Sequence, residues 1–258
     1  MLLVFGELFA ELSEADDGRL EVAWGGPLLR QARAARARGA RVRVLGRVGR
    51  DGYGRAIKRL GQESGLEWVL QEDGDHPTGL LLHDPVPTAY RAADAQLEPP
   101  SDGFFEGGRL LHAGSWVFGL DPARTAASEI FREGLRRGLA LSLDLRAARW
   151  AFRVPPDEVL RPFLPLGYMK VDDEATEALG MRPGELVQWA GQVVFFTGGE
   201  VHLMSLFDER RWPLPAGAGP DEVYGRFLAG VTAGREPETA LEQALEAAGD
   251  EEVTHDEV

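Results

Sequence analysis

Short apolar runs alternate with helix-like segments along most of the chain, and this order constrains the fold more than any other feature. The strand candidates are Leu2–Phe5, Val42–Val48, Arg109–Ala113, Leu139–Asp144, Tyr168–Val171 and Val193–Thr197. The helix candidates are near Pro27–Arg38, Gly54–Glu63, Ala123–Arg137, Asp173–Leu179, Pro183–Ala190 and Glu236–Ala248. Such alternation is typical of a parallel sheet with crossover helices. We therefore predict an α/β fold with a central, mostly parallel sheet flanked by helices.

Two segments break this alternation. Residues 8 to 24 are mixed in pattern, and residues 78 to 98 resemble a hairpin with Pro85 and Pro87 in its turn. Together they predict a small β-sheet outside the main sheet. Since no long linker or internal repeat occurs, we expect one domain over residues 1–258 with a β-lid, followed by a frayed acidic tail at about 249–258.

Charge and composition exclude several classes of function. The formal net charge is −14, and no basic stripe interleaved with aromatic residues occurs, so a nucleic-acid partner is not expected. The chain has no cysteine, which removes disulfide and thiolate-metal chemistry. It also lacks a run of 18 apolar residues and a basic leader, so we expect a cytoplasmic protein without a membrane partner.

Several common catalytic motifs are missing. The glycine cluster from Gly46 to Gly54 does not fit G-x-G-x-x-G, and no P-loop sequence occurs. The five histidines form no close pair, which argues against a histidine metal site. Ser115 lacks the second glycine of G-x-S-x-G, so a hydrolase triad has little support.

The stretch "LPAGAGPDEVYGRFLAG", Leu214 to Gly230, combines a small-residue loop with the start of a helix. The first N–H groups of a helix have no intrahelical partner, and the macrodipole adds positive charge there, so Gly217, Ala218 and Gly219 could hold phosphate. Asp221 is then either a catalytic base or an acid favoured at a helix start. Pro220 removes one N–H from the loop but suits the first helical position.

Residues Gly25 to Ile57 resemble the first signature of the ribokinase-like (PfkB-type) carbohydrate kinases. A glycine pair opens a helix there, and a strand ends in G-x-V-G-x-D-x-x-G. Later segments resemble the family's motifs in the same order: "FGELFAEL", "TGLLLHD", "AYRAADAQLE", "LLHAGSW", "SLDLRAARW", "MKVDDEATEAL", "FFTGGEV" and "AGAGPDEVYGRFLAG". Several motifs in one order are strong evidence for a ribokinase-like fold.

The resemblance implies a mechanism and a set of site residues. The γ-phosphoryl group of ATP moves to a sugar hydroxyl, Mg²⁺ bridges the phosphates, and an aspartate accepts the hydroxyl proton. It assigns Asp221 as the base and Gly217–Gly219 as the anion hole. The sugar side would be lined by Glu11, Gly25, Gly26 and Arg30, and the nucleotide side by Thr197 and Gly198. No direct metal ligand is expected, although Asp172 could act through water.

The chain departs from the family pattern at most polar positions. Glu11 replaces a sugar-binding aspartate, and Arg30 replaces an asparagine, which suggests an acidic or phosphorylated sugar. After Asp144 a Pro-Asn pair is missing. Ala175 takes the place of a glutamate, and Pro220 is an extra residue before Asp221. Judged without the family, Glu11 reads as a lid-surface carboxylate, and Arg30 reads as part of a solvated helix face.

Three functions therefore remain open. The first is an ATP-dependent kinase acting on a sugar or sugar-like alcohol. The second is a catalytically weakened relative that binds a metabolite and serves as a sensor or regulatory protein. The third is a vitamin-like or nucleoside kinase of the same superfamily. The lid could also form a homodimer, because exposed sheet edges tend to be paired or covered.

Overall fold

The computed structural model describes residues 1–15, 17–84, 86–146 and 155–253. Its central sheet has nine strands in the spatial order β13-β12-β11-β10-β9-β8-β1-β4-β5. These strands are β1 (Leu2–Phe5), β4 (Val42–Gly49), β5 (Glu67–Asp73), β8 (Leu110–Gly114), β9 (Ala140–Leu145), β10 (Leu166–Asp172), β11 (Ala190–Thr197), β12 (Glu200–Met204) and β13 (Glu209–Pro213). All neighbours from β11 to β5 pair in parallel, and β12 and β13 add an antiparallel edge.

A second sheet of four strands is formed by the two segments that break the alternation. It contains β2 (Phe9–Glu14), β3 (Leu20–Trp24), β6 (Gly79–Asp84) and β7 (Val86–Tyr90), in the order β3-β2-β6-β7. Strands β6 and β7 pair antiparallel, as a hairpin does. Pro85, which we placed in its turn, lies outside the described residues. Pro87, which we also placed there, belongs instead to strand β7, where it is the register partner of His83.

Helices cover both faces of the central sheet. They are α1 (Gly26–Ala37), α2 (Gly52–Glu63), α3 (Ala123–Arg136), α4 (Pro156–Leu160), α5 (Asp173–Leu179), α6 (Pro220–Thr232) and α7 (Pro237–Val253). One apolar core contains Phe131 of α3 with Phe5 and Leu143 of the sheet. The other contains Leu28 of α1 and Phe227 of α6. Because both faces are buried, strand β1 is apolar throughout, as parallel strands in such sheets are.

The predicted architecture is confirmed, with local differences. Strand β1 and helix α5 have the predicted bounds. The helix expected at Pro183–Ala190 is a 3₁₀ segment, Pro183–Gln188. We expected the tail to fray from residue 249, but helix α7 continues through it to Val253. Residues 254–258 of that tail lie outside the described part.

Strands β5, β12 and β13 were not predicted. Each carries several charged or polar residues, so none stands out as an apolar run. Within the described residues, no helix combines the length and the apolar character needed to cross a membrane.

Candidate active site

Two central strands place opposite charges side by side inside the molecule. Lys170 of β10 and Asp144 of β9 are partners in the parallel register. The Lys170 Nζ atom lies 3.1 Å from the nearer Asp144 carboxylate oxygen and 2.9 Å from Asp221 Oδ1. The lysine is only 1% exposed. Buried charges are stable only when paired, so these three residues form one electrostatic unit.

Helix α6 determines where Asp221 points. Gly219 is its N-cap residue and Pro220 occupies the first turn, so the helix begins where the proline suggests. Asp221 follows within the first turn, and it is only 6% exposed. It is therefore not a solvated acid at a helix start. Its carboxylate turns inward, toward the carboxyl ends of the central strands.

Four side chains donate to the Asp221 carboxylate. Arg30 Nε lies 3.1 Å from Oδ2, while Gln31 Nε2 and Lys170 Nζ lie 3.0 and 2.9 Å from Oδ1. Arg146 also donates to Oδ1 through its guanidinium. Burial by itself would raise the pKa of Asp221, but the charges of Arg146, Lys170 and Arg30 outweigh it and hold the pKa well below the usual carboxyl range.

Arg30 links this cluster to the second sheet. Its Nη1 donates to Glu11 Oε1 at 2.5 Å, and Glu11 Oε2 lies 2.9 Å from His83 Nε2. Glu11 is 4% exposed and the Arg30 side chain 32%. The interpretation of Glu11 as a surface carboxylate is therefore wrong. Arg30 remains partly exposed on its helix face, but it is also paired with Glu11 and Asp221.

We name the six charged residues Glu11, Arg30, Asp144, Arg146, Lys170 and Asp221 the ionic cluster. It contains three cations and three carboxylates, connected by the contacts between them. The positive charge of Arg30 is thus already compensated. The cluster has no excess charge that would favour an acidic sugar, so the reason for expecting one no longer holds.

A chain of buried, uncharged side chains is hydrogen-bonded to the ionic cluster through Gln31. Gln31 Nε2 faces two carboxylates, Asp221 and Asp144, so its Oε1 must accept, and His112 Nε2 donates to it at 2.6 Å. The His112 Nδ1 atom then accepts from Ser142 Oγ at 2.9 Å, and Ser142 in turn accepts from Tyr224 Oη at 2.9 Å. Burial lowers the pKa of His112 to about 4, so the ring is neutral. With its proton on Nε2, the His112 ring fixes the orientation of the Gln31 amide.

The loop before α6 has the backbone expected of a phosphate site, with one exception. Gly217 is left-handed, with φ +71°, and Gly219 has no side-chain cap bond. The N–H of Ala218 is used within the loop, because it donates to Pro215 O at 3.1 Å. No acceptor within the described part of the chain takes the N–H of Gly217 or Gly219. A Cβ on Gly219 would lie 2.0 Å from the Glu222 carboxylate, so Glu222 lies close to the Gly219 backbone.

The glycine pair before α1 is required by backbone geometry. Gly25 has φ +96° and Gly26 has φ +73°. A Cβ on Gly25 would lie 2.1 Å from the Leu29 side chain. The Gly25 N–H donates to Phe9 O at 2.7 Å, so the pair ties the start of α1 to the second sheet. This places the helix turn that carries Arg30 beside Glu11.

The predicted nucleotide residues lie at the same edge of the sheet but outside the ionic cluster. Thr197 ends β11, and Gly198 begins its turn into β12 with φ +50°. The next residue, Gly199, accepts from Leu214 N at 2.8 Å, which joins this turn to the loop before α6. Asp172 caps α5, accepting from Ala175 N at 2.8 Å. Its carboxylate therefore has a structural role.

The prediction of site residues missed four members of this centre. Gln31, Asp144, Arg146 and Lys170 were not named as site residues, although the last three belong to the ionic cluster. Asp144 and Lys170 carry the signal that could have identified them, since each is a charged residue within a strand of the buried parallel sheet. Arg146 lies just beyond β9, and its backbone N–H donates to Ser115 Oγ at 3.1 Å.

Known structures share this fold. The fructokinase of Halothermothrix orenii superposes with a TM-score of 0.81 at 19% identity, over 95% of this chain and 96% of that one. The aminoimidazole riboside kinase of Salmonella enterica, solved with aminoimidazole riboside and an ATP analogue, gives 0.81 and 19%, over 96% and 90%. The adenosine kinase of Anopheles gambiae gives 0.81 and 18%, over 96% and 94%.

No family model matches the sequence. The structural similarity nevertheless extends over nearly the whole length of each of these kinases. The chain therefore has the ribokinase-like fold of sugar and nucleoside kinases, as its sequence motifs predict.

Proposed function

We propose that this protein is an ATP-dependent kinase that phosphorylates a hydroxyl group of a sugar or sugar-like alcohol. The observation that carries the proposal is the position of Asp221, buried in the first turn of α6 directly after the glycine loop. An acceptor hydroxyl and a phosphoryl group could meet there. The structural neighbours are sugar and nucleoside kinases, which supports this function and does not favour a sensor or a vitamin-like kinase.

The residues present fit the phosphates of ATP. The N–H groups of Gly217 and Gly219 and the start of α6 provide donors and a positive dipole end. Thr197 and Gly198 lie beside this loop and are proposed to contact the nucleotide. The described residues contain no group of three acidic or histidine side chains that could hold a metal. Mg²⁺ would therefore be held mainly by phosphate and water, as is usual for this ion.

MgATP, when bound, supplies the γ-phosphoryl group that is transferred. Asp221 orients the acceptor hydroxyl and takes its proton on a carboxylate oxygen. A low pKa makes Asp221 a weak base, but phosphoryl transfer proceeds through a loose transition state and depends mostly on positioning and charge stabilisation. Lys170 and Arg146 hold the Asp221 carboxylate in position through their hydrogen bonds to Oδ1. The acceptor hydroxyl can donate to Oδ2 beside Arg30 Nε, because a carboxylate oxygen accepts more than one hydrogen bond.

Glu11, Gly25, Gly26 and Arg30 are proposed to form the sugar side. Their polar atoms can bond to hydroxyl groups, and the balanced charge favours a neutral sugar. The exposed apolar side chains of the second sheet, Leu20 and Val22 on its edge strand β3, support dimerisation through this sheet. No nucleic-acid or membrane partner is proposed.

The proposal is tested by measuring ADP release from MgATP with a panel of neutral sugars, sugar acids and nucleosides. We expect ADP release to depend on a neutral sugar. Phosphorylated sugar should form in an amount equal to the ADP released, as detected by ³¹P NMR. ADP release without a phosphorylated acceptor, or none with any member of the panel, would argue against a sugar kinase. Fructose and a riboside are the first compounds to include, because two of the similar structures are a fructokinase and an aminoimidazole riboside kinase.

A further inference from the structure

An open groove of about 630 Å³ follows the outer face of α1, between the carboxyl end of α2 and helix α6. Its charged lining consists of Arg30, Arg33, Arg36, Arg226, Glu63 and Glu222. The volume lies in the range of pockets that hold small molecules. The groove contains neither the glycine loop nor Glu11, and it meets the ionic cluster only at Arg30.

The charge of this region is opposite to that of the rest of the chain. Residues 28 to 63 include eleven basic and two acidic side chains, whereas the whole chain has a formal net charge of −14. A strongly acidic protein repels anions over most of its surface. Helices α1 and α2 themselves carry six of these basic residues and one of the acidic ones, so the face that they form is where a small anion would be attracted.

Many of the basic residues in this stretch already have carboxylate partners, but two of the three groove arginines on α1 do not. Arg43 pairs with Glu67, and Lys58 pairs with Glu72. By contrast, Arg33 and Arg36 are exposed and form no salt bridge with any carboxylate in the described ranges. The Arg36 Nε donates to Gly65 O at 3.0 Å, which holds its guanidinium at the groove.

The helix geometry aligns these side chains. Arg30, Arg33 and Arg36 are spaced three residues apart, so they lie on neighbouring turns of one helix face. Arg226 contributes from α6 and is 6% exposed. Guanidinium groups bind phosphate oxygens in pairs of parallel hydrogen bonds, so several of them around one groove suit a group with more than one negative charge.

We propose that this groove is a second ligand site, separate from the proposed catalytic loop, for a small phosphorylated anion with at least two negative charges. Arg33 and Arg36 supply the uncompensated positive charge. The Arg30 guanidinium contributes less, because Glu11 and Asp221 already compensate it. Inorganic phosphate compounds and phosphate esters share the chemistry that the groove would recognise.

The test measures pyrophosphate binding by isothermal titration calorimetry, without nucleotide or sugar. The groove variant is the double substitution Arg33→Gln with Arg36→Gln. The matched control is Arg38→Gln, which removes an exposed charge at the end of the same helix but outside the groove. We expect the groove variant to bind pyrophosphate at least tenfold more weakly, and the control to bind within twofold of the original chain.

Three results would overturn the proposal. Equal binding by the original chain and the groove variant would place pyrophosphate elsewhere, for example at the glycine loop. Equal weakening by Arg38→Gln would indicate a general effect of charge. An original chain that sediments as a dimer and a groove variant that sediments as a monomer would show that a second copy of this chain covers the groove. None of these measurements depends on kinase activity.

Discussion

Arg30 and Asp221 are 191 positions apart in the sequence, yet the Arg30 Nε donates to the Asp221 carboxylate at 3.1 Å. The same guanidinium bonds Glu11 of the second sheet. One side chain thus connects the second sheet, helix α1 and helix α6. Through this connection the arginine holds the candidate base in place while about a third of its side chain remains exposed.

Replacing Arg30 with glutamine should lower the stability of the folded chain. Two charge-assisted hydrogen bonds are lost, and Glu11 and Asp221 lose a compensating charge. Because the arginine is one-third exposed, we expect the free energy of unfolding to fall by about 1–3 kcal/mol, measured by urea denaturation. Arg33→Gln, one turn along α1, should change it by less than about 0.5 kcal/mol. Equal effects of the two substitutions would contradict this account of Arg30.

Replacing Lys170 with methionine should be more damaging, because the lysine is fully buried between two carboxylates. Asp144 and Asp221 would keep Arg146 but would repel each other. We expect a loss of about 3–5 kcal/mol in the free energy of unfolding. Adding Asp144→Asn to Lys170→Met should restore part of that loss. A double variant less stable than the single one would show that Asp144 is held by other contacts.

Glu7 should make stability fall as the pH rises through neutrality. The pKa of Glu7 is raised to about 7, mainly by burial and also by the nearby carboxylates of Asp144 and Asp94. The charge of Arg91 acts in the opposite direction but is outweighed. Between about pH 4.5 and pH 7 the folded chain holds a proton that the unfolded chain has lost, so stability declines across this window. The whole effect is on the order of 3 kcal/mol.

The substitution Glu7→Gln should remove this pH dependence, since glutamine does not titrate. We expect it to raise the free energy of unfolding at pH 8 and to leave the value at pH 4.5 nearly unchanged. Glu106→Gln, at an exposed position, serves as the control and should preserve the pH dependence. A parallel pH profile of the original chain and Glu7→Gln would refute the raised pKa.

His112 should remain a neutral ring with its proton on Nε2 from pH 5 to pH 8. Burial lowers its pKa to about 4, and Gln31 Oε1 requires a donor at Nε2. Nitrogen-15 NMR of the imidazole groups would report both properties, with His112→Asn used to assign the signal. A midpoint near pH 6.5, or a proton on Nδ1, would contradict the proposed chain of hydrogen bonds.

Local patterns in the sequence were sufficient for the fold class and for the six inner strands of the central sheet, but not for β5, β12 and β13. The apolar run Leu2–Phe5 predicts β1 because a strand buried on both faces has no polar positions. Strand β5 was missed for the opposite reason. It pairs only with β4 at the edge of the sheet, and its partly exposed residues include Glu67 and Gln71.

The candidate site was predictable only in part. Asp221 and the glycine loop are contiguous, so one motif contains them. The partners of Asp221 come from α1, β10 and the segment after β9, and only the fold brings them together. Arg30 could be noticed as an unusual residue, but its bonds to both Glu11 and Asp221 depend on how α1 packs against α6 and the second sheet.

The central claim is that Asp221 acts in phosphoryl transfer, and the most direct test compares kcat for Asp221→Asn with that of the original chain. The substrate would be the best sugar identified in the panel, with MgATP saturating. Asp157→Asn, a half-exposed first-turn acid of α4, is the matched control. We predict that Asp221→Asn lowers kcat by about 10²–10⁴ while Asp157→Asn leaves it unchanged. If kcat of Asp221→Asn stays within threefold of the original value, Asp221 is not the base.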